Sequence, residues 1–375
     1  MLKPELNEIK KLFTPKKCSV NRICGCYVDG EKNIKTTFSE SFLNLPDDET
    51  FKYFEIMRKA LSGTIGKTAL NMEFPAAAES EGGTQEFLYR LRESKLKDDG
   101  LLASFYDRVI ENFEYVGNYL ILLVHDTYDV PLKTTDGIVN DDASDTVYDY
   151  ILCTICPVNL TKSALSYDIE SNGFHNRIRD WVVEMPEAGF LFPAFNDRAS
   201  DIHSIMYYVK DSEELYDVFL NEVLGCVPTL TAKAQKESFR VIIDQTLDNN
   251  ADFDTVNEIY GELTKLETEH KEKQIAEPLT LNKDTVKKIF ERSGVKDENM
   301  KVFDEVYDAA VGKETELFAG NLHTSRSLEV KTPDIVIKVN PERADLIHTS
   351  IIDGKKCIVI EMNDNVELNG LDVTL

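Results

Sequence analysis

The sequence predicts a protein of the α/β or α+β class, with a mixed-sheet N-terminal domain, a helical connector and a small C-terminal β module. Three observations lead to this prediction. Short β-rich runs alternate with helical periodicity up to about residue 225, the chain is then helical to about residue 312, and strand and hairpin signals dominate after residue 321. The predicted domains are therefore residues 1–225, 226–320 and 321–375.

The N-terminal domain is predicted from apolar runs that alternate with amphipathic helices. The runs that read as buried strands are Arg22–Val28, Tyr119–Val124, Tyr150–Cys156 and Met206–Val209. Apolar residues near a 3.6-residue spacing predict two helices, one with Phe51, Phe54, Met57 and Leu61, the other with Leu101, Leu102, Phe105, Val109, Ile110 and Phe113.

The two later domains are predicted from their stop and turn signals. Gly225 and Pro228 end the first domain, and the helices that follow are interrupted by Ser293-Gly294, a helix stop that predicts a small helical hairpin. Glu residues four positions before Lys around His270 predict an exposed connecting helix. Near the C-terminus, Asp353-Gly354 is a strong two-residue hairpin turn.

Composition and charge limit the classes of function. The 67 acidic residues exceed the 42 basic ones and give a net charge of −25, which disfavours direct DNA binding unless a local basic patch overrides it. The N-terminus carries no signal peptide, and the longest apolar run, Tyr119–Val124, is far shorter than the ~20 residues of a membrane-spanning helix. We therefore expect a cytoplasmic protein that does not enter a membrane.

The seven cysteines offer a candidate metal site. Cys24, Cys26, Cys153 and Cys156 could supply four thiolates to a zinc ion if their strands lie side by side. Strand alternation, however, sends Cys24 and Cys26 to one face of a sheet and separates Cys153 from Cys156. Buried cysteines that act as small apolar residues are the favoured interpretation, and we expect no cofactor.

Four polar residues near strand ends offer a second candidate site. His125 and Asp126 follow an apolar run, and Asp201 and His203 could join them to hold a divalent metal or to act as base and acid. These four residues would serve a metal-dependent hydrolase. Polar residues that merely satisfy turns at strand ends explain the same pattern, and we favour that explanation because no defined motif is present.

The third candidate is the segment Gly82-Gly83-Thr84-Gln85, which stands between a predicted strand and a helix bearing Arg90-Leu91-Arg92. This segment resembles the Gly-Gly-Gln loop in the middle domain of eukaryotic-type class-one release factors and their ribosome-rescue relatives, although Thr84 interrupts the tripeptide. The resemblance implies a ribosome-associated rescue or dormancy factor, with Gly82, Gly83, Gln85, Arg90 and Arg92 as its binding residues. A local turn in which Thr84 caps the helix explains the same residues.

A second resemblance extends over nearly the whole chain. It rests on five segments, which are Arg22–Lys32, Leu61–Lys67, Glu81–Phe87, Ile155–Val158 and Phe190–Arg198. Together they are similar to an uncharacterised family of intracellular proteins from clostridia and related Gram-positive bacteria, catalogued as a domain of unknown function. The resemblance implies a bacterial, intracellular origin and carries over no activity, cofactor or catalytic residue.

The function predicted from the sequence is thus open. We favour a non-catalytic binding or regulatory protein with an unidentified protein or ribonucleoprotein partner, because no group of residues meets the requirements of a named reaction. The ribosome-associated factor is the first alternative and the metal-dependent hydrolase is the second.

Overall fold

The structure, a computed structural model, describes residues 1–133, 139–313, 315–323, 328–362, 366–368 and 371–373. The chain divides into two compact units, Met1–Thr231 and Ala232–Leu375. The first unit ends a few residues after the predicted boundary at residue 225. The predicted division of the chain into three domains stays a prediction.

The first unit is organised around one eight-stranded sheet. In sheet order, seven strands run β2-β1-β4-β5-β9-β12-β3, with β8 paired to β5 off this path, and every strand pair described in this sheet is antiparallel. The strands of this unit are β1 (Arg22–Val28), β2 (Ile34–Ser41), β3 (Ala69–Glu73), β4 (Asn118–Lys133), β5 (Val139–Leu160), β6 (Leu165–Asp168), β7 (Gly173–Asn176), β8 (Trp181–Val183), β9 (Ala188–Phe192), β10 (Ala194–Asn196), β11 (Ala199–Asp201) and β12 (Ser204–Val209). The α/β or α+β fold class is confirmed, and the antiparallel pairing is that of an α+β fold.

Helices of the first unit pack on both faces of this sheet. They are α1 (Lys3–Lys10), α2 (Asp47–Ala60), α3 (Ala76–Glu79), α4 (Thr84–Glu93), α5 (Asp99–Asn112) and the short α6 (Asp217–Phe219), with a 3-10 turn at Phe42–Asn44 and a π-helical turn at Leu220–Leu224. Helices α4 and α5 share one apolar core with one face of the sheet, and α1 and α2 share a second core with the other. The unit therefore has three layers, helix on sheet on helix.

The alternation of side chains along a strand explains why both faces are apolar. In β4, Ile121 and Leu123 lie in the core under α4 and α5, whereas Leu122 and Val124 lie in the core under α1 and α2. A strand covered on both faces reads as a continuous apolar run, because neither face has to remain polar. The run Tyr119–Val124 predicted such a strand, and that prediction is confirmed.

Residues 161–185 connect β5 to β9, and we call this segment the arm. Strands β6 and β7 pair with each other as a two-stranded ribbon, and β8 pairs with the end of β5. Most side chains of the arm are exposed.

The second unit has a helical part with its own core. Its helices are α7 (Ala232–Thr246), α8 (Phe253–Glu272), α9 (Lys283–Arg292), α10 (Asp297–Ala310) and α11 (Ala319–Leu322). Inside it, Phe290 of α9 contacts both Phe239 of α7 and Phe303 of α10 edge to face. The helical hairpin predicted on either side of Ser293-Gly294 is present as α9 and α10.

Strands of the second unit form separate two-stranded sheets. They are β13 (Thr280–Leu281), β14 (Leu317–Phe318), β15 (Leu328–Lys331), β16 (Val336–Val339), β17 (Ile347–Ile352), β18 (Lys355–Ile360), β19 (Val366–Leu368) and β20 (Leu371–Val373), with a 3-10 segment at Pro341–Leu346. The hairpin predicted at Asp353-Gly354 joins β17 to β18, and both turn residues have positive φ, as this turn requires. Among the described residues, no helix is both long enough and apolar enough to cross a bilayer.

Candidate functional site

The four candidate zinc ligands lie in the sheet of the first unit, on strands β1 and β5. Cys24 and Cys26 face the core under α4 and α5 together with Cys153, whereas Cys156 faces the opposite core. Leu123 of β4 stands between Cys24 and Cys153 in the pairing register. Burial raises the pKa of Cys26 to about 11 and that of Cys156 to about 12, so both are protonated at neutral pH. The structure does not bring these four thiols together.

His125 and Asp126 are adjacent on β4 and therefore point to opposite faces of the sheet. The Nε2 atom of His125 lies 2.6 Å from Oδ1 of Asp149, and the imidazole is 1% exposed. On the other face, Tyr150 donates its hydroxyl proton to Asp126 at 2.8 Å. Burial raises the pKa of Asp126, and hydrogen bonds to the carboxylate offset only part of that rise. Each residue has a structural partner, and burial of the imidazole does not favour His125 as a catalytic base.

Asp201 is the last residue of β11, where it pairs with Ala194 of β10, and His203 lies in the connection between β11 and β12. Sheet order separates β12 from β4 by three strand spacings, roughly 14 Å, so His203, next to β12, is far from His125. His203 is exposed and its Nδ1 lies 2.7 Å from Oε1 of Glu79, which raises the pKa of the imidazole. Asn196 donates to Asp201 at 2.6 Å. Among the described residues, no group of three or more His, Cys, Asp and Glu side chains could hold a metal ion.

The Gly82-Gly83 segment is a tight turn between α3 and α4. Gly82 has positive φ and donates its N–H to Glu86 at 2.7 Å, and Gly83 lies so close to the carbonyl of Ala78 that no side chain fits there. Gly83 precedes the helix as its N-cap, and Thr84 is the first helical residue rather than the expected cap.

The side chains that follow this turn are directed toward the protein rather than away from it. Gln85 is 7% exposed and donates its amide to the carbonyl of Ile202 at 3.0 Å. Arg92 is buried, forms an ion pair with Glu93 at 2.5 Å and stacks over Tyr89, whereas Arg90 is exposed. A buried glutamine amide does not favour a reaction at the loop tip, and the ligand-binding role of these residues stays a prediction.

A cavity in the second unit is the candidate ligand site that the sequence did not indicate. It has a volume of about 150 Å³. Its lining residues are Lys236 and Arg240 on α7, Asn257, Tyr260, Gly261 and Thr264 on α8, Leu322 and His323 at the end of α11, Leu328 and Glu329 on β15, and Ala344 in the 3-10 segment. A groove of about 650 Å³ shares Asn257, Gly261, Thr264 and Ala344 with it. Two cations and one carboxylate, Glu329, thus line the cavity of a chain whose net charge is −25. The guanidinium of Arg240 also pairs with Glu237 at 3.2 Å.

Packing of α7 and α8 explains why these side chains converge. Lys236 and Arg240 are four residues apart and so lie on the same face of α7. On α8, Ile259 and Leu263 are buried, which turns Asn257, Gly261 and Thr264 toward the cavity. Asp252 caps α8 by accepting a hydrogen bond from the N–H of Thr255 at 2.9 Å. Phe239 and Tyr260 fix the two helices against each other through an edge-to-face contact.

Two polar groups at the cavity are buried. The Oδ1 atom of Asn257 has no hydrogen-bond partner among the described residues, while its amide nitrogen donates to the carbonyl of Ala344 at 3.4 Å. His323 lies 3.3 Å from Glu267, and this pair is about nine-tenths buried. The hydrogen bond from His323 lowers the pKa of Glu267 below its ordinary value, although burial acts in the opposite direction.

The position of Glu267 differs from the exposed connecting helix that the charge pattern predicted. Its side chain is buried because α8 packs against α11, while Lys271 one turn later is exposed. The sequence analysis did not use Gly261, a glycine inside an otherwise good helical pattern, which is the signal that could have indicated the cavity.

Comparison with other proteins gives a family without an assigned activity. A search of curated proteins finds no match. The family described as "Domain of unknown function (DUF4317)" matches residues 1–371. This chain therefore belongs to the DUF4317 family.

Proposed function

We propose that this chain is a non-catalytic binding protein and that its ligand site is the cavity between α7 and α8. The observation that supports the proposal is the convergence of Lys236, Arg240 and Asn257 on a partly open cavity in a strongly acidic protein. Lysine and arginine recognise carboxylate and phosphate groups through charge-assisted hydrogen bonds. The ligand class is therefore a small carboxylate or phosphate anion.

The orphan oxygen of Asn257 adds a second requirement for the ligand. A buried acceptor without a partner costs about 1–3 kcal/mol. Because this oxygen has almost no accessible surface, a ligand that donates to it recovers that cost only after a small shift of the Asn257 side chain. The assignment of Oδ1 is supported by the amide nitrogen, which donates to Ala344 and therefore fixes the orientation of the side chain. We expect the anion to carry a hydroxyl group as well.

The volume of the cavity limits the size of the part that enters it. A water molecule takes up about 30 Å³ of the liquid, so 150 Å³ accommodates a group the size of about five waters. An anionic group with a short carbon chain fits this space. A larger ligand would place its remainder in the adjoining groove, which is lined by four acidic residues and by Arg343 and Lys265, so that remainder should be neutral or cationic.

Gly261 supports the proposal independently of charge. A glycine inside a helix costs about 1 kcal/mol relative to alanine. Packing does not require it, because a Cβ built at Gly261 meets no atom within 4 Å, and its φ is not positive. Its effect is to keep the wall of the cavity open. Gly261→Leu would fill that space without altering any charged group.

The experiment is calorimetric titration of the whole chain with malate and with succinate, two dicarboxylates that differ by one hydroxyl. We expect malate to bind more tightly and inorganic phosphate to compete with it. Arg240→Met should weaken malate binding by about 10-fold or more, the effect of losing one charge-assisted hydrogen bond. Lys288→Met is the control, because Lys288 is exposed on α9 and lines none of the described cavities.

Two further variants separate the parts of the proposal. Gly261→Leu should abolish binding while circular dichroism shows an intact fold. Asn257→Ala should reduce the preference for malate over succinate and leave succinate binding nearly unchanged. Equal binding by the Arg240→Met and Lys288→Met variants, or no binding of any of the three anions by the wild type, would refute the cavity as an anion site.

A cytoplasmic location is part of the same proposal. All seven cysteines are free thiols, as expected of a protein that folds in a reducing compartment.

A further inference from the structure

The arm, residues 161–185, has one polar face and one apolar face. Strands β6 and β7 pair so that Tyr167 lies opposite Phe174 and Ser166 lies opposite His175. Leu165 is two residues from Tyr167 and shares its side of the ribbon. Leu165, Tyr167 and Phe174 therefore form one face, and Ser166, Asp168 and His175 form the other.

Side chains of the polar face form hydrogen bonds with residues of the arm itself, whereas side chains of the apolar face are exposed to solvent. Ser171 contacts both Asp168, at 2.7 Å, and His175, at 2.6 Å. On the opposite side, Leu165 is 74% exposed and Phe174 is 70% exposed, and the rings of Tyr167 and Phe174 contact each other at 5.5 Å across the ribbon. A two-stranded ribbon with an uncovered apolar face is marginally stable in water, so a partner that covers this face would stabilise it.

Large apolar residues continue along the arm beyond the ribbon. Ile169 in the turn, Ile178 after β7 and the residues of β8, including Trp181, are exposed as well. At about 200 Å² for a large side chain, the apolar residues of the arm expose on the order of 1,000 Å². A standard interface needs about 800 Å² from each partner, which the arm supplies if the apolar residues beyond the ribbon join Leu165, Tyr167 and Phe174 in the contact.

We infer that the arm is a homodimerisation surface and that its partner is the arm of a second copy of this chain. Charge supports this choice of partner. The arm contains three basic and four acidic residues, a net charge of −1, whereas the whole chain carries −25. Two copies that met through any strongly acidic face would repel each other, but two arms can meet without bringing many carboxylates together.

The geometry of the ribbon also favours an identical partner. Two ribbons that stack through their apolar faces about 10 Å apart make a four-stranded sandwich in which each buries the other's Leu165, Tyr167 and Phe174. Such a contact is isologous, because the same patch serves on both copies, and it closes with two-fold symmetry.

The test combines sedimentation velocity with the fluorescence of Trp181, the only tryptophan in the chain. We expect a dimer whose dissociation on dilution is accompanied by a red shift of the Trp181 emission, since the indole passes into water. Phe174→Glu should raise the dissociation constant by at least about 100-fold, because each dimer loses two aromatic hot spots. Ser166→Glu introduces the same charge on the polar face of the same ribbon and should leave the dimer intact.

Three outcomes would overturn the inference. The first is a wild-type protein that stays monomeric up to high micromolar concentration, which would leave the arm to a different protein partner. The second is a dimer that persists unchanged in Phe174→Glu. The third is equal loss of the dimer in Phe174→Glu and Ser166→Glu, with both variants folded by circular dichroism.

Discussion

Gly189 on the central strand β9 offers a direct test of how tightly the sheet of the first unit is packed. A Cβ at this position would lie 2.5 Å from the carbonyl oxygen of Cys153 and 3.4 Å from the Cα of Thr154. Both atoms belong to the backbone of β5, which pairs with β9 and cannot rotate away. Forcing an extra group into a packed core costs about 1–3 kcal/mol.

The opposing effect in Gly189→Ala is conformational. Alanine in a strand is favoured over glycine by about 0.5–1 kcal/mol, because less backbone freedom is lost on folding. The steric cost exceeds this gain, so we expect Gly189→Ala to lower the free energy of unfolding by about 1–2 kcal/mol. Without the close contact with Cys153, the same substitution would stabilise the protein.

The assay is urea unfolding followed by the fluorescence of Trp181, which lies on β8 and reports on β5 through their pairing. Protein concentration is held fixed, because any self-association contributes to apparent stability. Gly30→Ala is the matched control in the same unit, since its nearest neighbours stand 3.6 Å away, and we expect a change of no more than about 0.5 kcal/mol. A Gly189→Ala protein as stable as the wild type would refute the reasoning.

Three other predictions concern ionisable groups. Cys153 and Cys156 should not react with a thiol reagent in the folded protein, because burial raises the pKa of both thiols. Both should react fully when urea unfolds the protein. Rapid reaction in buffer without urea would contradict their burial in the sheet. Glu267 has a folded pKa below its ordinary value of 4.5, so its contribution to stability is present above that value and is lost as the pH falls through the folded pKa. The stability difference between the wild type and Glu267→Gln should therefore shrink in acid, and urea midpoints measured across this range check it. The pKa of Asp126 is raised in the folded state, so the wild type should lose stability as the pH rises above 3.8. Asp126→Asn still accepts the hydrogen bond of Tyr150 and should not show this loss. A stability difference between the two proteins that stays constant with pH would contradict the prediction.

Much of the fold could be predicted from the sequence, because local signals agreed with tertiary packing. The strand at Arg22–Val28 has the predicted bounds, and the Asp353-Gly354 turn is where the dipeptide placed it. Strand alternation also predicted that Cys153 and Cys156 face opposite sides, and the two cores confirm this. The arm was not predicted, since its apolar residues resemble those of buried strands and only the structure shows them exposed.

The candidate site was much harder to predict, because it is assembled by packing. Lys236 and Arg240 come from one helix and Asn257 from the next, with His323 far along the chain. Charge spacing predicted an exposed helix around Glu267, but the neighbouring imidazole makes burial of this carboxylate tolerable. The residues chosen from the sequence were polar groups near strand ends and turns, and the structure gives most of them local partners.

Strand β2 forms one edge of the large sheet and has a consequence for assembly. Free sheet edges invite further strands and can lead to fibres. Residues Lys35–Ser41 of β2 are polar except for Phe38, and most of them are exposed, so a second chain that extended the sheet here would have to strip water from charged and hydroxyl groups. Fibre growth by strand addition at this edge is therefore disfavoured. A symmetric contact through the arm buries the same patch on both copies, so assembly through the arm ends at a dimer.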